Sequence, residues 1–156
     1  MLLTLTLACN GALRFDEGSM DGGSNDSGSS DSCTSGNCGW STEACATPPC
    51  PFDCLGEATC SGTCGRGCTA SCAATTNCTL AANGEGARLS CVDRASCAFQ
   101  VTDDATVTCQ GSAICTVYCA SSCLLSCSSG ATCRLQCGRG AVTTVVGAGM
   151  CRDTTP

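Results

Sequence analysis

The chain contains no histidine and no lysine in 156 residues. Without an imidazole, neither a Ser-His-Asp nor a Cys-His arrangement can activate a nucleophile, so catalysis is not expected. Without lysine, the seven basic residues are all arginine, spread singly along the chain, and no basic patch for nucleic acid forms. Aromatic residues are scarce: one Trp, one Tyr and three Phe stand against 19 Gly. So few large side chains argue against a conventional apolar core. No apolar run is long enough to cross a bilayer as a helix. No two cysteines are spaced C-x-C or C-x2-C, the closest spacing being C-x3-C. Zinc knuckles and metallothionein-like clusters, which place two thiolates on one ion, are therefore disfavoured, and no metal is expected.

Cysteine is what the chain has in abundance, at 21 residues. That density signals a disulfide scaffold in an exported protein. From Cys60 the cysteines return at Cys78, Cys97, Cys115, Cys133 and Cys151, at intervals of 18, 19, 18, 18 and 18 residues, the extra residue falling within 83–86. Repetition at a fixed period points to stacked structural units. Each period holds two five-residue segments joined by a three-residue and a five-residue spacer, as in CTVYC, ASS, CLLSC and SSGAT over residues 115–132. Within a segment Cys115, Val117 and Cys119 share one face of an extended chain while Thr116 and Tyr118 share the other, the alternation of a half-buried strand. The same inward pattern recurs in Cys97, Phe99 and Val101, in Ala105, Val107 and Cys109, and in Cys123, Leu125 and Cys127. Gly65, Gly67, Gly84, Gly86, Gly111, Gly130, Gly138 and Gly140 fall in the spacers, where chain reversal is expected to demand positive φ.

These features predict an all-β fold: a small, disulfide-rich β-solenoid with an 18-residue, two-strand coil, each coil giving one strand to each of two parallel sheets. In outline it resembles the cysteine-stapled solenoids of insect antifreeze proteins, and in period the two-strand coil of RTX β-rolls, whose calcium motif GGxGxDxUx is missing. The alternative is an antiparallel β-meander of hairpins, in which the same cysteines would face each other across the loops. It leaves one apolar face uncovered, which favours the solenoid. Residues 37–156 form the expected Cys-rich domain. Its cap spans residues 37–49, where Cys45 falls out of phase and Pro48 and Pro49 crowd the chain, and its repeats span residues 50–156. Val145 stands where a cysteine is expected, and Cys151 is expected to close the last coil.

Cysteine spacing suggests the pairing. Five C-x5-C pairs recur: Cys54 with Cys60, Cys72 with Cys78, Cys91 with Cys97, Cys109 with Cys115, and Cys127 with Cys133. Across the shorter spacer both positions are cysteine in Cys64 with Cys68 and in Cys119 with Cys123, and neither is cysteine in Ala82 with Ala87 or Val101 with Ala105. Joint presence and joint absence is what bonded positions should show, since half a disulfide is a reactive thiol. Elimination then suggests Cys45 with Cys50, Cys33 with Cys38, and Cys137 with Cys151, leaving Cys9. Equivalent cysteines of neighbouring coils also come within about 5 Å, so bridges between coils remain open.

Residues 1–8, MLLTLTLA, run directly into Cys9 and resemble the end of a bacterial lipoprotein signal peptide closing on its lipobox. The same residues also suit an apolar N-terminal segment with a buried cysteine. The resemblance implies that residues 1–8 are a truncated signal peptide whose start lies upstream. It further implies that Cys9 carries a covalent lipid, the one expected attached group, and that the partner is a membrane reached through this anchor. Asn10 stands where an Asp would signal inner-membrane retention, which favours the outer membrane. Residues 9–36 contain the Gly/Ser-rich stretch GSMDGGSNDSGSSDSCTSG and are expected to be a flexible tether. Five acids against Arg14 in residues 1–32 supply a net −4 of the chain's −6, which makes the tether acidic and leaves the repeats near neutral. The expected role is structural or adhesive at the cell envelope, with a ligand-binding face for ice, glycan or protein as the alternative and a thiol-based metal store behind it. Candidate surface features are Asp103 and Asp104 on a short turn, which could meet calcium, Tyr118 and Leu124 as partner contacts, and Thr106 with Thr108 as the one rank of outward threonines. Trp40 is expected in the cap.

Overall fold

The computed structural model describes residues 31–41 and 51–152. They form β1 (Asp31–Cys33), β2 (Asn37–Ser41), β3 (Pro51–Cys54), β4 (Thr59–Cys64), β5 (Thr69–Cys72), β6 (Asn77–Glu85), β7 (Arg88–Cys91), β8 (Ser96–Asp103), β9 (Ala105–Cys109), β10 (Ile114–Cys119), β11 (Cys123–Cys127), β12 (Thr132–Cys137), β13 (Thr143–Val145) and β14 (Gly147–Cys151). No helix occurs among the described residues, so none there is long and apolar enough to cross a membrane.

Up to β12, odd-numbered strands build one sheet, in the order β1-β3-β5-β7-β9-β11, and even-numbered strands the other, in the order β12-β10-β8-β6-β4-β2; β14 extends the first sheet and β13 the second. Each strand up to β12 pairs in parallel with the strand two elements away, so that Cys54 aligns with Cys72, Cys91 with Cys109, and Cys115 with both Cys97 and Cys133. The fold is a β-solenoid, and its parallel ladders exclude the hairpin meander. The inserted residue of the 19-residue interval is absorbed where β6 shifts register against β8 between Ala82 and Glu85.

The core is thin and is filled by columns. Phe52, Ala70, Leu89, Val107 and Leu125 occupy the middle inward position of the first sheet, and Leu80, Phe99, Val117 and Leu135 that of the second; all are buried. In the first two of these coils a large residue meets a small one, Phe52 with Gly62 and Ala70 with Leu80, whereas Leu89 and Phe99 share the next. A third column lies under the long turns, where Ala58, Thr76, Ala95 and Ala113 are buried.

The two ends depart from the expected boundaries. Residues 31–33 and 37–41 already lie in register with β3 and β4, Cys33 opposite Cys54 and Cys38 opposite Cys60. The first coil therefore begins at Asp31, inside the stretch read as tether, and residues 37–41 are a sheet strand rather than a separate cap. Trp40 holds the register position opposite Gly62. At the other end the chain does not wind a further coil. Gly138, with φ 53°, and a hydrogen bond from Gly140 N–H to Cys137 O at 2.9 Å turn β12 back into β13. β13 then runs antiparallel to β12, and β14 antiparallel to β11, closing both sheets. Positive φ is found at Gly67, Gly86, Gly111, Gly130 and Gly138 but not at Gly84 or Gly140; Ala74, Asp93 and Asp104 occupy three left-handed positions without being glycine. The tight turn geometry there is set by the stacked coils on either side and overrides residue preference.

Candidate functional site

The structure brings the sequence-paired cysteines into two edges of the solenoid. Along the long-turn edge Cys33–Cys38, Cys54–Cys60, Cys72–Cys78, Cys91–Cys97, Cys109–Cys115 and Cys127–Cys133 are disulfide-bonded. Along the short-turn edge Cys64–Cys68 and Cys119–Cys123 are bonded, and Cys137–Cys151 joins the ends of β12 and β14. Cys45, Cys50 and the lipidation candidate Cys9 lie outside the described residues. Neighbouring bridges are in contact: the Sγ atoms of Cys72, Cys78 and Cys97 lie within 4.8 Å of one another, as do those of Cys109, Cys115 and Cys133. Such triads match the spacing of a metal site, but a sulfur bonded to sulfur has no thiolate to offer an ion. Bridges on this scale place folding in an oxidising, exported location.

With the cysteines committed to staples, the outward side chains of the two sheets are those open to contact. On the first sheet one outward row runs Thr69, Arg88, Thr106, Leu124 and Met150 in register. Arginine and apolar side chains interrupt the threonines, so this row is no flat hydroxyl array of the kind ice binding would need.

The second sheet carries an outward row through Gln100, Tyr118 and Gln136, which are direct register partners on β8, β10 and β12. In-register neighbours of parallel strands stand about 4.8 Å apart, so Gln100 and Gln136 hold the positions on either side of Tyr118. Tyr118 is 42% exposed, whereas Phe52 and Phe99 are buried at 3% and 0%. A chain with so few aromatics thus places its tyrosine outside. Where this row meets the short turns, Asn83, Gln100, Val101, Thr102, Tyr118, Cys119, Ala120 and Gly138 line a shallow groove. No charged side chain lines it. Amides and a hydroxyl supply donors and acceptors, and the ring supplies an apolar face.

Beside the groove, Asp103 and Asp104 are engaged internally. Ser121 Oγ donates to Asp103 Oδ1 and Ser122 Oγ to Asp104 Oδ1, both at 3.1 Å, and the Asp104 N–H donates to Asp103 Oδ1 at 3.0 Å. The two carboxylates thus tie one short turn to the next coil. Leu124, at 37% exposure, lies next to Met150 and away from the groove. Of this row, sequence reasoning singled out Tyr118 as a partner contact; its alignment with Gln100 and Gln136 depends on register between coils. No protein family, curated protein or solved structure matches the chain.

Proposed function

We propose that this is a non-catalytic, lipid-anchored protein of the bacterial cell envelope, held at the outer membrane through Cys9, whose stapled solenoid serves adhesion through the Tyr118 groove. The observation that carries the adhesive reading is the Gln100–Tyr118–Gln136 row: an exposed ring between two carboxamides, in a groove without charge. Uncharged amides and an aromatic face suit a neutral, polyhydroxylated ligand such as a glycan, because sugar C–H faces stack on rings while amides pair with hydroxyls. The solenoid's contribution is rigidity, which keeps the row in place without ordering cost on binding.

Two measurements test the two halves of this reading. For the anchor, intact mass of natively exported protein should show diacylglycerol on Cys9, and Cys9→Ser should move the protein from the membrane fraction to the soluble one; an unmodified Cys9 defeats the anchor alone. For adhesion, a neutral-glycan array should give binding that Tyr118→Ala weakens about tenfold, the loss of one stacked ring. Binding that survives Tyr118→Ala, or none to any glycan, leaves the purely structural reading in its place. A thiol-based metal store would instead require free thiols in the exported protein.

A further inference from the structure

Four cysteines at the C-terminal end form a square that can be paired in two ways. Cys119 is bonded to Cys123 across the short turn, and Cys137 of β12 to Cys151 of β14. The two remaining sides of the square are ladder partners: Cys119 faces Cys137 in the parallel β10–β12 register, and Cys123 faces Cys151 in the antiparallel β11–β14 register. Facing residues on adjacent strands have Cα atoms about 4.5–5.5 Å apart, within the span of a disulfide. The Sγ atoms of Cys119, Cys123 and Cys151 already lie within 4.8 Å of one another. Access separates the four. Cys119, Cys123 and Cys151 are buried at 2%, 3% and 1%, while Cys137 is the one exposed cysteine among the described residues.

We propose that this square is a thiol-triggered disulfide isomerisation site whose co-reactant is a small monothiol of the glutathione class. The external thiolate attacks the exposed Cys137 sulfur; the bond to Cys151 breaks and its electron pair leaves on Cys151 as a thiolate. That thiolate attacks the sulfur of Cys123, forming Cys123–Cys151 and expelling the thiolate of Cys119. Cys119 then attacks the Cys137 mixed disulfide, forming Cys119–Cys137 and releasing the monothiol. Two disulfides are broken and two made, the monothiol is regenerated, and nothing is oxidised or reduced overall.

The two pairings differ mechanically. The first closes a turn and joins β12 of one sheet to β14 of the other; the second clamps β12 to β10 and β14 to β11, each within its own sheet. Squares deeper in the stack, such as Cys72, Cys78, Cys91 and Cys97, share the ladder geometry but are fully enclosed. They lack an entry point for the external thiol.

Trypsin reads the exchange directly, because Arg134, Arg139 and Arg152 separate the partners. From untreated protein, residues 135–139 should be recovered bonded to residues 140–152. After anaerobic incubation with a catalytic amount of glutathione and an acid quench, part of that two-peptide species should be lost to the second pairing without net reduction, since the two pairings hold equal numbers of disulfides. Both peptides should then appear attached to residues 95–134, with no gain in free thiol. Persistence of the two-peptide species overturns the proposal, and so does its loss with two free thiols gained, which is simple reduction. In a Cys119→Ser/Cys123→Ser variant the transfer to residues 95–134 should vanish while attack at Cys137 remains.

Discussion

The carboxylate of Asp93 accepts a hydrogen bond from the backbone N–H of Ala74, one coil below, at 3.3 Å, and both residues hold a φ of 63°. They occupy one turn column with Gly56 and Gly111, and its backbones are stitched coil to coil: Thr75 N–H to Gly56 O at 3.1 Å, Arg94 N–H to Ala74 O at 3.0 Å, and Ser112 N–H to Asp93 O at 2.6 Å. A left-handed conformation costs an L-residue roughly 1–2 kcal/mol, and alanine has no side chain to compensate. Ala74→Gly should therefore stabilise the protein by about 1 kcal/mol, read as a higher denaturant midpoint at unchanged slope. Asp93→Ala should do the reverse by about 1 kcal/mol, keeping the strain and losing the bond.

A long turn and a short turn together separate strain from contact. Gly56 and Gly67 both have positive φ, at 74° and 68°. A Cβ on Gly56 would stand 2.4 Å from the carbonyl oxygen of Thr34, whereas one on Gly67 would meet nothing within 4 Å. Gly67→Ala should cost the conformational term alone, about 1 kcal/mol. Gly56→Ala must also push the neighbouring turn aside, and should cost at least about 2 kcal/mol. Equal losses for the two, measured in the same denaturant series, would show that stacking between turns imposes no steric demand.

Whether the two sheets share one core volume is testable at a single coil. Ala70 and Leu80, each 1% exposed, hold the middle inward positions of one coil. Leu80→Ala should cost about 2–5 kcal/mol through the cavity it leaves. If the two faces fill one space, adding Ala70→Leu should restore at least about 1 kcal/mol of that loss, a coupling typical of touching residues. A double variant no better than Leu80→Ala would mean that each sheet packs only along its own column.

The solenoid body was legible because its signals are local. Alternation through Cys115, Val117 and Cys119 sets the inward face, and five identical C-x5-C spacings set the long turns, so coil geometry follows from short stretches of chain. The ends were not. Cys151 keeps the 18-residue interval from Cys133 yet lies opposite Cys123, because an alternating strand looks the same in either direction and only the hairpin after Cys137 reverses it. The first coil was hidden by its shorter C-x4-C spacing between Cys33 and Cys38 and by the interruption that follows β2. Left-handed turns at Ala74 and Asp93 carry no glycine to announce them. Tyr118 was visible as an outward residue, but its setting between Gln100 and Gln136 exists only once coils are stacked in register.

The positions without bridges on the short-turn edge give the sharpest test of that register. Val101 and Ala105 align with Cys119 and Cys123, are buried at 2% each, and are separated by the same three residues as Cys64 and Cys68. The bonded short-turn pairs have Cα–Cα distances of 5.9 and 6.2 Å, well inside the range a disulfide accepts. Val101→Cys/Ala105→Cys should therefore close an additional bridge during export, with two hydrogens missing from the intact mass and no added free thiol. Closing so small a loop contributes about 2 kcal/mol in the chain-entropy model, partly offset by the lost valine packing. Either single variant should instead expose one thiol to alkylation after unfolding and be less stable than the parent. If the double variant also keeps two free thiols, Val101 and Ala105 are not placed across their turn as Cys119 and Cys123 are, and the register assigned to this edge is wrong.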